Sequence, residues 1–291
     1  MAKALWYNRR EGRRLPPHIN LSAKKQNRKE KDKVRILAIG DVTSNGGIEL
    51  LEKKLWSKRK ELAIDLCIVN AENASFITGA SSEQAERLFA AGADVLTGGN
   101  HTMRNKAVWS YLDDNTAMLR PINFGDTAPG SGYHIIDCLG YKVMVINAMG
   151  TVYMDPVLDS PYGYIDRLLA REKGHYDLAV LDFHAEATGE KVAMGYAYDG
   201  AISVIFGTHT HVPTADARIL PKGTGYVTDI GMCGESGGVL GMDPSLVVEK
   251  MRSHLPSKFA SAKGAATADG MVFDLDPSSG RVKKIERIMM E

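Results

Sequence analysis

Five short apolar segments of the sequence are each followed within a few residues by side chains that can bind a metal ion. Continuous apolar runs of this length are typical of strands buried on both faces of a parallel sheet. In an open α/β sheet, ligands bind at the carboxyl ends of the strands. The sequence therefore predicts an α/β domain with a site at that edge. The eight candidate site residues are Asp41, Glu72, Asn73, Asn100, His101, His184, His209 and His211.

Strand and helix signals alternate along most of the chain. A helix is predicted over residues 48–62 after the first strand, and Ser81 and Ser82 mark the start of another helix. Two C-terminal strands, residues 271–275 and 283–289, flank a turn at 277–280 and predict a hairpin. The other strands are predicted over residues 34–39, 66–69, 94–97, 143–147, 178–183 and 202–206.

The eight candidates comprise two carboxylates, two carboxamides and four imidazoles. Because imidazole favours transition metals, the set suits Mn, Fe, Zn or Co better than Ca or Mg. No cysteine belongs to it, which argues against a thiolate zinc site. Eight ligands are too many for one ion and suit two, which together can bind a phosphate group. Glu72 is the candidate for a carboxylate that bridges the two ions.

His209 and His211 are two residues apart. On an extended backbone this spacing places both rings on the same side of the chain. A lone histidine at a strand end is most often a hydrogen-bonded structural residue. The remaining histidines are interpreted in that way: His18, His134, His175 and His254.

The charges are distributed unevenly along the chain. Residues 1–33 contain 11 Lys and Arg against 3 Asp and Glu, a net charge of +8, and the rest of the chain carries −7. Because the basic segment has few apolar residues, we predict a flexible N-terminal arm at 1–33 and a folded domain at 34–291. The arm could be solvated or contact another subunit, bind nucleic acid such as RNA or, less favoured, act as a mitochondrial transit peptide.

The composition excludes several classes of protein. Cys67, Cys138 and Cys233 are too few and too widely spaced for a disulfide scaffold, and they indicate a reducing compartment. No run approaches the roughly 18 apolar residues of a membrane span, and the N-terminus lacks the apolar segment of a secretory signal. A nicotinamide dehydrogenase is excluded because no Gly-x-Gly-x-x-Gly follows the first strand.

The motifs at 40–41 (GD), 71–73 (AEN), 99–102 (GNHT), 182–188 (DFHAEAT) and 207–211 (GTHTH) resemble those of the calcineurin-like metallophosphoesterases. Residues 119–121 (LRP), 215–224 (ADARILPKGT) and 228–232 (TDIGM) narrow the resemblance to the YmdB-type branch. The resemblance covers about residues 34–289 and leaves out the basic arm. It implies a four-layer α/β/β/α sandwich, a cytoplasmic homo-oligomer and 2′,3′-cyclic-nucleotide 2′-phosphodiesterase activity.

The resemblance also implies two transition-metal ions, Fe or Mn, and assigns a role to each candidate residue. His101 would donate a proton to the leaving ribose oxygen, after a metal-bound hydroxide attacks the phosphorus of the cyclic nucleotide. Glu72 would bridge the two ions. The other ligands would be Asp41, Asn73 and His211 for the first metal, and Asn100, His184 and His209 for the second.

Two other functions stay open on the sequence. A nucleotide phosphomonoesterase would use the same ligands. A non-catalytic RNA-binding regulator would use the basic arm, and its affinity for RNA would depend steeply on salt.

Several residues near the motifs are predicted to influence the site. Asp182 or Glu186 is expected to orient His184, although Glu186 and Glu190 are equally compatible with a solvated helix face. In addition, residues 42–48, 74–79 and 103–104 depart from the family pattern, and we expect them to line the mouth of the site. Arg104 would make that mouth more positive. In the segment 149–164, Tyr153 and Tyr162 could stack on a base or pack in an oligomer interface.

Overall fold

The computed structural model describes residues 33–76 and 78–291. The predicted arm and its RNA contact fall almost entirely on residues outside this range, so they stay predictions. Within it, the six α-helices are α1 (Asn45–Glu61), α2 (Ser82–Ala91), α3 (Trp109–Asp114), α4 (Pro161–Arg171), α5 (Thr188–Ala197) and α6 (Pro244–Ser253). Short 3-10 helices lie at Thr102–Arg104, Lys106–Val108 and Ile122–Phe124.

The same residues form thirteen strands. In chain order these are β1 (Val34–Ile39), β2 (Asp41–Val42), β3 (Leu66–Asn70), β4 (Val95–Thr97), β5 (Tyr133–Cys138), β6 (Tyr141–Met149), β7 (Leu178–His184), β8 (Val204–Thr208), β9 (Arg218–Ile219), β10 (Gly225–Val227), β11 (Met232–Glu235), β12 (Ala266–Asp276) and β13 (Arg281–Met290).

The strands form two sheets. The first has the order β2-β11-β12-β1-β3-β4, with β13 also paired to β12, and the second has the order β5-β6-β7-β8-β10-β9. Strands β1, β3 and β4 are parallel in the first sheet, and β6, β7, β8 and β10 are parallel in the second. The carboxyl ends of each parallel set therefore lie at one edge of its sheet.

The two sheets and the helices form four layers, and a hydrophobic cluster fills each of the three interfaces between them. One cluster joins the first sheet to α1 and α2 through residues such as Leu51 and Leu88. A second joins the two sheets to each other, and a third joins the second sheet to α4 and α5. Strand β1 shows the alternation, since Leu37 faces the helices and Ile36 faces the other sheet. The predicted four-layer α/β/β/α sandwich is confirmed.

Most predicted elements are present, with shifted ends. Helix α1 begins three residues before the predicted start because the side chain of Ser44 caps it by accepting from the backbone N–H of Gly47. The start at Ser81 is confirmed, since Ser81 and Gln84 form a capping box. The C-terminal hairpin is confirmed as β12 and β13.

Some elements were not anticipated from the sequence. Strand β5 pairs with β6 at the edge of the second sheet and is only half-buried, so its apolar pattern is weak. Strands β9, β10 and β11 are only two to four residues long, which is too short for a clear periodic signal. Throughout the described part of the chain, every helix is too short or too polar to cross a lipid bilayer.

Candidate metal centre

The carboxyl ends of the parallel strands of both sheets carry the candidate residues. These residues come from the segments after β1, β3, β4 and β8 and from the last position of β7. The structure brings all eight into one connected cluster, which comprises Asp41, Glu72, Asn73, Asn100, His101, His184, His209 and His211.

One half of the cluster surrounds His184. The ligand atoms of Glu72, His184 and His209 all lie within 4.8 Å of one another. The Nε2 atom of His184 lies 3.7 Å from Oε1 of Glu72 and 3.1 Å from Nδ1 of His209. The side-chain oxygen of Asn100 is 3.0 Å from the same Nε2 atom. These four side chains could hold one metal ion.

The other half of the cluster surrounds Asp41. The Nε2 atom of His211 lies 3.2 Å from Oδ2 of Asp41 and 3.3 Å from Nδ2 of Asn73. Asn73 also donates to Oε1 of Glu72 over 2.5 Å. Glu72 therefore contacts both halves of the cluster, which is the position that a bridging carboxylate requires.

The carboxylate of Asp41 is completely buried. The ring of His211 lies 3.2 Å from it, but neither Asp41 oxygen accepts a hydrogen bond from the described residues. Burial raises the pKa of this carboxyl group because it disfavours the charged form. A buried charge is normally paired or bound to a metal. Burial lowers the pKa of His211, but the adjacent Asp41 carboxylate raises it further, to about 9, so the ring can pair with Asp41 as an imidazolium. A metal ion bound between the two side chains would take the place of that proton, so these residues fit a metal ion.

The charges of the cluster are strongly coupled. Burial raises the pKa of Glu72, but the imidazoles of His184 and His101 lower it further, to about 2. Burial lowers the pKa of His184 well below its ordinary value. Glu72 is thus charged and His184 neutral at pH 7, which are the forms in which the two side chains bind metals.

His101 is held beside the cluster by two contacts. Its backbone N–H donates to Oε2 of Glu72 over 2.9 Å, and its ring Nδ1 lies 2.7 Å from Oδ1 of Asn73. Because an amide oxygen only accepts, Nδ1 carries the proton in this contact. The ring nitrogen left to act on a substrate is Nε2.

Asp182 was expected to orient His184. It does so through Thr208 and not by a direct contact. The hydroxyl of Thr208 donates to Oδ1 of Asp182 over 2.7 Å and lies 3.0 Å from Nδ1 of His184. Asp182 also accepts from Asn70 over 2.9 Å and from Thr97 over 2.5 Å. Burial raises the pKa of Asp182 to about 7, although these hydrogen bonds favour the charged form.

The neighbouring Glu186 is exposed, as its solvated alternative predicted, although it lies just before α5, whereas that alternative was wrong for Glu190. Glu186 contacts His209, with 3.2 Å between Oε2 and Nε2, and no contact joins it to His184 among the described residues. Glu190 is not on a solvated face, because it accepts from the backbone N–H groups of Thr151 and Val152 and from the Thr151 hydroxyl. It therefore fixes the start of the segment after β6.

The expected extended geometry of the two neighbouring histidines was also wrong. Strand β8 ends at Thr208, and both His209 (φ 96°) and His211 (φ 63°) adopt left-handed backbone conformations. The two rings reach the cluster because the chain turns sharply around Thr210. Simple alternation along a strand does not place them.

The segment 150–160 forms part of the rim of the cluster. It is attached to His184 by a hydrogen bond from the Gly150 N–H to the His184 carbonyl, and Asn100 donates to the Asp155 carbonyl over 3.2 Å. Tyr153 lies between these attachments and is 88% exposed.

Tyr162 lies apart from this rim. It is half-buried and stacks on Tyr198, with 6.0 Å between ring centroids. It packs against the hydrophobic residues between the second sheet and α4 and α5, so its ring is used within the fold and base stacking stays a prediction for Tyr153.

The residues that hold the cluster together were mostly missed from the sequence. Asn70, Thr97 and Thr208 are each the last residue of a strand, and each bonds to Asp182. The available signal in the sequence is a polar residue that ends an apolar run.

A comparison with known proteins shows which family this chain belongs to. A family model described as YmdB-like protein matches residues 37–288. The chain belongs to the YmdB-like family. It is 39% identical over 257 residues to the 2′,3′-cyclic-nucleotide 2′-phosphodiesterase of Bacillus subtilis (strain 168), an alignment that covers 88% of this chain and 97% of that protein.

Solved structures show the same fold. A hypothetical protein from Thermus thermophilus matches with a TM-score of 0.82 and 35% identity, over 89% of this chain and 99% of that chain. A novel phosphatase from Mycoplasma pneumoniae matches with a TM-score of 0.82 and 33% identity, over 89% of this chain and 93% of that chain. The predicted fold class, that of the calcineurin-like metallophosphoesterases, is confirmed.

The contact between Gly99 and His184 generates a testable prediction. A Cβ atom added to Gly99 would lie 2.4 Å from Nε2 of His184, so G99A must displace that ring. We expect the dissociation constant for Mn²⁺, measured by calorimetry on chelator-treated protein, to rise at least about tenfold. G189A is the control, since a Cβ there meets nothing within 4 Å. An unchanged constant for G99A would show that this ring does not contribute to metal binding.

Proposed function

We propose that this chain is a phosphodiesterase that hydrolyses 2′,3′-cyclic nucleotides with two transition-metal ions, Fe or Mn. The observation that carries the proposal is the convergence of eight ligand-type side chains around the buried carboxylates of Asp41 and Glu72. The name of the Bacillus subtilis relative, which aligns over most of both chains, supports this substrate class.

The two halves of the cluster suggest which residues hold each ion. Glu72 contacts both halves and would be shared. When bound, two such ions neutralise phosphate charge and activate a water molecule for attack. The remaining ligands would be Asp41, Asn73 and His211 for one ion, and Asn100, His184 and His209 for the other.

His101 is the proposed proton donor. Its Nδ1 atom is occupied by Asn73 and its backbone N–H by Glu72, so the ring is held with Nε2 as the nitrogen left for the substrate. A protonated imidazole within hydrogen-bond reach of the leaving ribose oxygen would neutralise the charge that develops as the P–O bond breaks.

The test of the proposal combines metal content with a substrate panel. We expect about two metal ions per chain after reconstitution with Mn²⁺, and hydrolysis of both bis-p-nitrophenyl phosphate and 2′,3′-cAMP. Elemental analysis and product chromatography measure these outcomes. Preference for 3′-AMP over both diesters would favour the phosphomonoesterase, and protein with no metal and no turnover would contradict the proposal.

Replacing the proton donor separates catalysis from metal binding. H101A should retain the wild-type metal content and lose roughly 10²–10⁴-fold in kcat for 2′,3′-cAMP, because the leaving oxygen is no longer protonated. H175A is the control, since His175 is exposed and pairs with Glu172. If H101A instead empties a metal site, His101 is a ligand and the proposed role is wrong.

The exposed ring of Tyr153 gives a prediction about the base. Stacking on a nucleobase contributes about 1–3 kcal/mol, so Y153A should lower kcat/KM for 2′,3′-cAMP roughly 5- to 150-fold. Ribose 2′,3′-cyclic phosphate, which lacks a base, should be hydrolysed as well as by the wild type. Y196A removes another exposed tyrosine, on α5, and serves as the control. Equal losses on both substrates would exclude base stacking.

A further inference from the structure

A buried ion pair lies behind the loop that carries His209 and His211. Lys191 on α5 is 1% exposed and Asp229, two residues after β10, is completely buried. The Nζ atom of Lys191 is 2.8 Å from Oδ2 of Asp229. Neither residue is among the eight of the cluster, so metal binding does not account for them directly.

Stability alone is a poor explanation for such a pair. Removing two charges from water carries a large penalty, and well-packed apolar residues of similar volume are often at least as stabilising. The other bonds of the Asp229 carboxylate are therefore informative. Its Oδ2 atom accepts from the backbone N–H of Thr210 over 3.2 Å and from the Thr210 hydroxyl over 2.8 Å, and its Oδ1 atom accepts from the Gly231 N–H over 2.9 Å.

Thr210 is the residue between the two histidines. Both neighbours have positive φ angles, 96° for His209 and 63° for His211. Residues other than glycine adopt this region at a cost in free energy, and the conformation persists only where the surrounding structure holds it. The two hydrogen bonds from Thr210 to Asp229 hold the backbone between the two strained positions.

The loop serves both halves of the cluster. His209 lies with Glu72 and His184, and His211 lies against Asp41. A shift of the Thr210 backbone would move both rings together. We infer that Lys191 and Asp229 form a positioning pair that sets the metal affinity of both halves by fixing Thr210. This inference rests on the proposed function, because it requires the cluster to bind metal.

The test is the double variant K191M/D229N. Both charges are removed together, so no buried charge is left unpaired. Asparagine has a single acceptor oxygen, so it cannot hold both Thr210 and the Gly231 N–H as the carboxylate does. We expect the melting temperature of the metal-free protein to stay within a few degrees of wild type. The dissociation constant for Mn²⁺, measured by calorimetry, should rise about 10- to 100-fold.

A matched control separates positioning from general stability. R35M/D274N removes another ion pair between distant parts of the chain, 2.6 Å between Nε and Oδ1, at the start of β1 and so at the far end of that strand from the cluster. It should leave the Mn²⁺ affinity unchanged, because in the described part of the chain neither residue contacts the cluster or the loop after β8. Wild-type Mn²⁺ affinity in K191M/D229N would overturn the inference and leave the proposed function intact, whereas wild-type protein that binds no Mn²⁺ would overturn both.

A second pair of variants decides the matter if the double variant does not fold. T210V leaves the ion pair in place and removes only the hydroxyl bond to Asp229, and T210S keeps that hydroxyl. We expect weaker Mn²⁺ binding for T210V and affinity close to wild type for T210S. Equal affinities in the two variants would overturn the inference.

Discussion

The buried carboxylate of Asp182 is the point on which the arrangement of the strand ends depends. It accepts from Asn70 on β3 and Thr97 on β4 of the first sheet, and from Thr208 on β8 of the second. A buried carboxylate is stable only when its acceptor positions are filled, so these bonds fix the two sheets relative to each other at the edge that carries the cluster. Thr208 also contacts Nδ1 of His184, so the same network positions the His184 ring.

The cluster itself is electrostatically incomplete. Glu72 and Asp41 are buried, and only imidazole and amide groups surround them. Burial raises the pKa of Asp41, and the nearby Asp41 carboxylate outweighs burial and raises the pKa of His211 to about 9, so without a metal ion this pair holds a proton between two ligand atoms. A protein that only needed a stable core would not assemble such a set, whereas two cations would satisfy it.

Two different kinds of support position the candidate ligands. His184 ends β7 and is held by the core of the sheet, and Asp41, Glu72 and Asn100 lie within three residues of a strand end. Two segments need a further support: the loop after β8, which carries His209 and His211 in left-handed backbone conformations, and the rim segment 150–160. Each is fixed by a carboxylate from outside it, the first by Asp229 and the second by Glu190. Precise sites on loops require supporting residues of this kind.

The sequence by itself determined the α/β class, most of the strands and the identity of the eight clustered residues. Apolar runs and strand ends are local patterns, and the motifs resemble a family. Only the tertiary structure decided that Asp182 acts through Thr208, that the backbone turns left-handed on both sides of Thr210, and that Lys191 pairs with Asp229. These contacts join residues that lie 26 or 38 positions apart, or depend on backbone angles that no side-chain pattern specifies. They form only when the two sheets and α5 pack together, because burial then forces each polar group to find a partner.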